Sequence, residues 1–246
     1  MHKHLQFDSL CDRIRAAYSS LGHHMSWSFL YTSQSTLHSS QQLLFIGLNP
    51  GGKEGEKYTE TPSCKDGNDY LRGDWDQKKW KKGKAPLQVQ VQKLFTKIAT
   101  SMAASIPYQA MMDASLAANY VPFRSSRWAS LGNKELTLDF ARKLWSEILD
   151  YVQPRAIICI AYVAYDEIKT ILQSKDFQVV GSEDRKTIGW GNATYCLTEL
   201  SDGERTVILV RLPHLSTYKV FSSTKCEIEI KKLIDKIASV LDADAF

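Results

Sequence analysis

The sequence predicts an α/β fold, a three-layer α/β/α sandwich around a central sheet of four parallel strands. Four short and almost wholly apolar runs lie at 43–48, 116–123, 155–161 and 206–212. Such runs suit strands covered on both faces rather than on one. Amphipathic helical patterns alternate with them, the order expected when helices cross over a parallel sheet.

The elements follow in chain order. Residues 8–21 place Leu10, Ile14 and Ala17 on one helical face, with Asp8 as its N-cap. A polar loop covers 32–41. The first strand, 43–48, runs into Gly47-Leu48-Asn49-Pro50-Gly51-Gly52. Glycine and proline force a tight turn there, at the carboxyl end of a strand, where open α/β sheets bind ligands. Residues 53–84 form a long charged insertion, of a length that in compact domains is usually functional or disordered. A helix follows at 87–104, with Val91, Leu94, Phe95 and Ile98 inward. The second strand, 116–123, ends in Asn119-Tyr120-Val121-Pro122-Phe123. A helix at 136–151, the third strand at 155–161 and a helix at 163–173 come next. Residues 178–200 alternate around Gly189-Trp190-Gly191-Asn192, the pattern of a hairpin. The fourth strand, 206–212, runs into Pro213-His214-Leu215-Ser216-Thr217. The last helix, about 225–241, carries Ile228, Ile230, Leu233, Ile234 and Ile237 and reads as core packing.

At 246 residues and 43% hydrophobic, the chain has material for one sizeable core, and a single domain over 1–246 is expected. The net charge of +4 is compatible with nucleic acid without demanding it. Five cysteines, an odd number with no CxxC pair, indicate neither a disulfide framework nor a structural zinc site. No cofactor or metal is expected. No run has the length of a membrane span, and Met1-His2-Lys3-His4-Leu5-Gln6 lacks the apolar stretch of a signal peptide, so a cytoplasmic, non-membrane protein is expected.

Three strand-end segments resemble the motifs of the uracil-DNA glycosylase superfamily. Gly47-Leu48-Asn49-Pro50-Gly51 matches the G-x-N-P-G form found in its mismatch-specific and single-strand-selective branches. Asn119-Tyr120-Val121-Pro122 is similar to its middle N-x-x-P segment. His214-Leu215-Ser216 is similar to its H-P-S motif, with Leu in place of Pro. Order and strand placement agree across about residues 43–221. The resemblance implies the superfamily's four-stranded parallel sheet and a monofunctional DNA glycosylase acting as a monomer. Such an enzyme flips a nucleotide out of DNA and hydrolyses its N-glycosidic bond.

The implied roles are these. Asn49 orients a water, since an amide has no useful basicity, and His214 donates to the pyrimidine O2 as negative charge builds there. Asn119 pairs with the edge of the flipped base, in a pocket with Gly47, Leu48, Pro50, Tyr58 and Ser63. Gly51, Lys81, Lys82, Arg124, Arg127, Ser216, Thr217 and Lys219 meet the DNA backbone. Leu215 or Tyr218 is the wedge that replaces the extruded base. The plainer readings also stand: Asn49 as a turn residue, His214 as a structural histidine, Asn119 as a polar strand cap. No lysine lies in the motifs where a Schiff-base nucleophile would sit, so strand cleavage is not indicated.

Two departures bear on the substrate. The related branches carry a Pro-Phe whose ring stacks on the base, and here the stretch reads Thr61-Pro62-Ser63. The 53–84 insertion is long and offers Tyr58, Asp66, Asn68, Asp69, Tyr70, Trp75 and Trp80. Together they suggest a pocket remodelled for a bulky modified pyrimidine, such as the glucosylated hydroxymethylcytosine of phage DNA. That would be an antiviral defence function, with uracil or mismatch repair as the alternative. Lys78-Lys79-Trp80-Lys81-Lys82-Gly83-Lys84 suits phosphate contact plus stacking, or is a solvated face. A nucleotide or sugar-phosphate hydrolase is a rival class, but no G-x-G-x-x-G or G-x-x-x-x-G-K-[ST] occurs. A non-catalytic nucleic-acid-binding relative is the other, with Leu215 as its best hint.

Overall fold

The computed structural model describes residues 5–76, 78–102, 106–181, 183–243 and 246, so residues 1–4 of the amino-terminal reading lie outside it. Its elements are α1 (Phe7–Ser20), β1 (Trp27–Ser28), β2 (Leu43–Gly47), β3 (Glu60–Thr61), α2 (Asp69–Arg72), α3 (Pro86–Ser101) and α4 (Tyr108–Ala114). They continue with β4 (Leu116–Asn119), α5 (Lys134–Val152), β5 (Ala156–Cys159), α6 (Tyr162–Gln173), β6 (Gln178–Val179), β7 (Asp184–Thr187), β8 (Thr194–Ser201), β9 (Thr206–Arg211) and α7 (Glu227–Ala238).

The larger sheet has the order β4-β2-β5-β9-β8-β6, with β7 also paired to β8. Its first four strands are parallel. The expected hairpin is present as β7–β8 and extends the sheet in antiparallel sense beyond β9. Every residue of β2, β4 and β5 is buried, because each of these strands is covered on both faces. Alternate residues face opposite ways. Leu44, Ile46, Ala118 and Ile157 meet α1, α5 and α6, whereas Leu43, Phe45, Ala117 and Ile158 meet α3, α4 and α7. The three layers expected from the sequence are therefore there.

Local differences have physical causes. α1 begins one residue early, with Gln6 at its N-cap and Asp8 inside the first turn. There the Asp8 carboxylate complements the helix dipole instead of capping an amide. α4 and the 27–31 edge segment had no periodic signal long enough to read. The edge segment runs antiparallel to β4, Tyr31 N–H donating to the Ala117 carbonyl at 2.7 Å and Asn119 N–H to the Phe29 carbonyl at 3.4 Å.

The long insertion is mostly built structure. Residues 59–64 lie along 27–32 through β1–β3 and the Cys64 N–H to Thr32 carbonyl bond. Beyond it, α3 holds 69–83 with two glutamines. Gln88 Nε2 donates to the Asp69 and Gly73 carbonyls at 2.8 and 2.9 Å, and Gln92 Nε2 to those of Tyr70 and Gly83, both at 2.8 Å. Tyr70 is buried against Phe45 and Phe95 in the α3-side core.

Candidate active site

The loops after β2 and β4 leave the sheet side by side and stay stitched together. Tyr120 N–H donates to the Gly47 carbonyl at 2.9 Å, Val121 N–H to that of Leu48 at 2.8 Å, and Ser125 N–H to that of Pro50 at 3.2 Å. Trp145 of α5 fixes the second loop from below, its indole N–H donating to the Tyr120 carbonyl at 2.9 Å. Arg124 crosses back to the first loop, donating to the Gly51 carbonyl at 2.7 Å.

Asn49 is half-buried between these loops. Its Nδ2 donates to Ser125 Oγ at 2.8 Å and to the Pro50 carbonyl at 3.1 Å, and Ser125 Oγ in turn donates to the Arg127 carbonyl at 2.9 Å. The donor side of the amide is thus anchored to protein. No hydrogen bond from the described residues reaches its Oδ1, which remains available as an acceptor.

Asn119 is paired in register with Gly47 at the ends of β4 and β2. A methyl group added at Gly47 would overlap Asn119 Oδ1, so glycine is what lets this side chain lie across the strand end. Asn119 Nδ2 is buried and has no hydrogen-bond partner among the described residues. An unpaired buried donor is costly, and that marks the position for attention. Tyr31 lies beside it, its phenol pushed up by burial with the Asn119 amide, Asp69 and Arg124 as neighbours.

Asp69 completes the cluster. Its backbone N–H donates to the Tyr31 carbonyl at 2.7 Å, and its Oδ2 accepts from the Trp75 indole N–H. Burial raises the Asp69 carboxyl above its ordinary value, against the opposing pull of the Trp75 N–H and the Arg124 charge. Tyr31 stacks on Tyr70 with ring centroids 5.4 Å apart, and Trp75 meets Tyr31 edge-on at 6.0 Å.

His214 follows β9, two strands from β2, at the same carboxyl edge. At a strand spacing of ~4.8 Å this is about 10 Å away. Its Nδ1 pairs with Ser216 Oγ at 2.8 Å, and its carbonyl accepts from the Thr217 and Tyr218 N–H groups, both at 3.0 Å. His214 is exposed, and partial desolvation of its ring lowers its pKa below the ordinary imidazole value. When Nδ1 accepts from the Ser216 hydroxyl, the ring proton sits on Nε2.

Several expectations need correction. Leu215 is fully buried in the α3-side core, at 0% exposure, so it is no wedge: removing it from the core would forfeit a whole leucine's burial. Tyr218 is half-buried against the same core, while Ser216, Thr217 and Lys219 are exposed. Tyr58 turns away from the Asn119 cluster, its ring 5.5 Å from Tyr18 of α1 and its hydroxyl donating to Glu60 at 2.9 Å. Asn68 and Tyr70 are buried structural residues, Asn68 capping α2. Ser63 is half-buried in the segment beside 27–32 and makes no described contact with Asn119. Leu48 is half-buried, Pro50 buried and Gly51 exposed. Lys78, Lys79, Lys81, Lys82, Lys84 and Arg127 are exposed, as is Trp80.

A cleft of about 240 Å³ is lined by Arg124, His24, Met25, Ser26 and residues 53–56, including Glu54 and Glu56. Among the described residues no three His, Cys, Asp or Glu side chains are grouped to hold a metal ion, and no helix is long and apolar enough to cross a membrane. No family model matches this chain, and no curated protein matches it.

Two members of the cluster were invisible as such in the sequence. Tyr31 sits in a short edge segment, and Ser125 lies beyond the Asn119–Pro122 segment. Only their pairing partners, 86 and 76 residues away in Ala117 and Asn49, give them a place.

Proposed function

We propose that this chain is a monofunctional DNA glycosylase that flips a modified pyrimidine from DNA and hydrolyses its N-glycosidic bond. The observation that carries the reading is the arrangement of Asn49: its Nδ2 is tied to Ser125 while no described residue donates to its Oδ1, in the loop that follows Gly47, the partner in register of Asn119 at the carboxyl edge of a parallel sheet. Glycosidic hydrolysis passes through a cationic sugar and an anionic leaving base. An amide oxygen held in one rotamer orients a water toward the sugar cation. A neutral His214 donating from Nε2 stabilises charge on the departing base. Asn119 reads the base edge.

Tyr31 neighbours Asn119 and Trp75 meets Tyr31 edge-on; in this reading the two rings supply the aromatic surface that Thr61-Pro62-Ser63 lacks. This supports a bulky modified base, such as glucosylated hydroxymethylcytosine, as substrate. Exposed Lys81, Lys82, Arg127, Ser216, Thr217 and Lys219 are the backbone contacts of this reading, in a cytoplasmic monomer serving antiviral defence.

The test is base release from labelled oligonucleotides, read as alkali-sensitive sites. The panel holds uracil in single strands and mismatches, mismatched thymine, 5-hydroxymethylcytosine and its glucosylated form. Release of the glucosylated base is expected. Release of uracil alone would make this a repair enzyme. Binding with no release from any strand, unchanged by Asn49→Ala, would replace the reading with a non-catalytic nucleic-acid binder.

A further inference from the structure

The Asn119 cluster contains two polar groups whose partners on the base the reaction above leaves unassigned. One is the buried Asn119 Nδ2, which neighbours the Tyr31 phenol and has no partner at hydrogen-bond geometry among the described residues. The other is the Asp69 carboxylate, an acceptor-only group when ionised. Its Oδ2 takes one hydrogen bond, from Trp75, and its Oδ1 lies over Gly73, where an added methyl would overlap it. A carboxylate has about four acceptor positions, so the Trp75 bond leaves capacity on the group. The two residues are held in fixed relation: Asp69 N–H is bonded to the Tyr31 carbonyl, Tyr31 N–H to Ala117, and Asn119 follows two residues along the same strand. The Arg124 guanidinium, whose charge acts on Asp69, donates from Nη1 to the Gly51 carbonyl, and its buried Nε has no partner among the described residues.

The Asn119 amide and the Asp69 charge both act on the Tyr31 phenol, and such a donor and acceptor together complement one pyrimidine edge and oppose the other. A 4-aminopyrimidine of the cytosine type offers N3 as acceptor and the exocyclic amine as donor. A uracil-type base offers N3–H as donor and O4 as acceptor, so it would set O4 against the carboxylate and N3–H against the amide N–H. Resting on the glycosylase reading, we infer that Asp69 is the specificity-determining residue of this pocket. Its carboxylate accepts from the exocyclic amine of a cytosine-type base while Asn119 Nδ2 donates to ring N3. Burial strengthens the discrimination, since a mismatched polar pair there leaves both partners unsatisfied. Trp75 holds the carboxylate by its indole N–H and does not itself read the base edge.

The experiment compares oligonucleotides carrying 5-hydroxymethylcytosine or 5-hydroxymethyluracil, which differ only in the 4-amino and 4-oxo groups. Binding by fluorescence anisotropy and base release are measured for the wild type, Asp69→Asn and Trp75→Phe, with thermal melts to verify folding. The wild type is expected to favour the amino base by roughly tenfold or more. Asp69→Asn, whose amide can donate to O4, is expected to erase that ratio or reverse it. Trp75→Phe is expected to keep the ratio while weakening both substrates. A folded Asp69→Asn protein with the wild-type ratio overturns the inference. So does Trp75→Phe losing the ratio as fully as Asp69→Asn, because Asp69 would then only be Trp75's structural partner. If neither base is released but the binding ratio still collapses in Asp69→Asn, base reading stands and hydrolysis falls, so the two failures are distinguishable.

Discussion

Asn49 is held by a single side-chain partner, which makes its behaviour testable apart from its presence. Asn49→Ala should lower base release at least ~100-fold, the range for removal of one positioned catalytic group, while thermal melts stay close to wild type. Ser125→Ala keeps the amide and its bond to the Pro50 carbonyl but removes its shortest anchor, so a smaller loss of roughly tenfold is expected in single-turnover release. Equal losses in the two variants would mean that Ser125 does more than hold Asn49. Gly47→Ala tests the other side of the pocket. Its methyl group would overlap Asn119 Oδ1, and forcing atoms into a packed site costs about 1–3 kcal/mol. A lower melting temperature together with weakened base discrimination is the expected result.

Among the elements, α3 shows how a helix face can build a site without entering it. Its apolar positions were legible from their spacing, but Gln88 and Gln92 look like ordinary solvent-facing residues in the sequence. They face instead the carbonyls of 69–83, and that converts an insertion expected to be open polar chain into the wall that carries Asp69 and Trp75. Gln88→Leu would take one hydrogen bond from each of the Asp69 and Gly73 carbonyls, which keep the Gly73 and Gly83 N–H groups, and would leave the buried Ala85 N–H without its Gln88 Oε1 partner, at a cost of about 1–3 kcal/mol. Limited proteolysis should then cut within 69–83 sooner than in the wild type. The 119–125 loop has its own dependence on α1's neighbourhood. His23 packs against Phe123 with ring centroids 4.2 Å apart and pairs with Thr137 at 3.1 Å. Burial, with the nearby His24, lowers its pKa from 6.5 to about 4. Between these values the unfolded chain binds a proton that the folded chain does not. The stability held by neutral His23 is therefore complete above pH 6.5 and lost as pH falls toward 4. Melting temperature should decline over that window, and His23→Gln should flatten the decline.

Taken together, the exposed lysines of 78–84, Arg127 and Lys219 give the proposed DNA-binding activity a measurable electrostatic signature. Affinity should fall steeply with salt, and neutralising Lys78, Lys79, Lys81 and Lys82 should reduce the log–log slope by up to ~0.9 for each phosphate that is no longer neutralised. An unchanged slope would identify the lysine run as a solvated face. Much of the architecture was legible before any coordinates. The four parallel strands, the α1, α3, α5, α6 and α7 helices and the β7–β8 hairpin all announce themselves, because period-2 and period-3.6 patterns and apolar runs are local properties of the chain. For the same reason Asn49, Asn119 and His214 were recognisable as residues at strand ends. What folding alone decided is which side chains meet. Tyr31, Asp69 and Ser125 joined Asn119 and Asn49, Tyr58 left for α1, and Leu215 went into the core beside Leu212 and Val220. These outcomes rest on pairings between residues far apart in the chain, set by sheet register and by buried hydrogen bonds such as those of Gln88. No local periodicity encodes such pairings, so the chain order names the strand ends, and the packed interior determines which groups share the pocket.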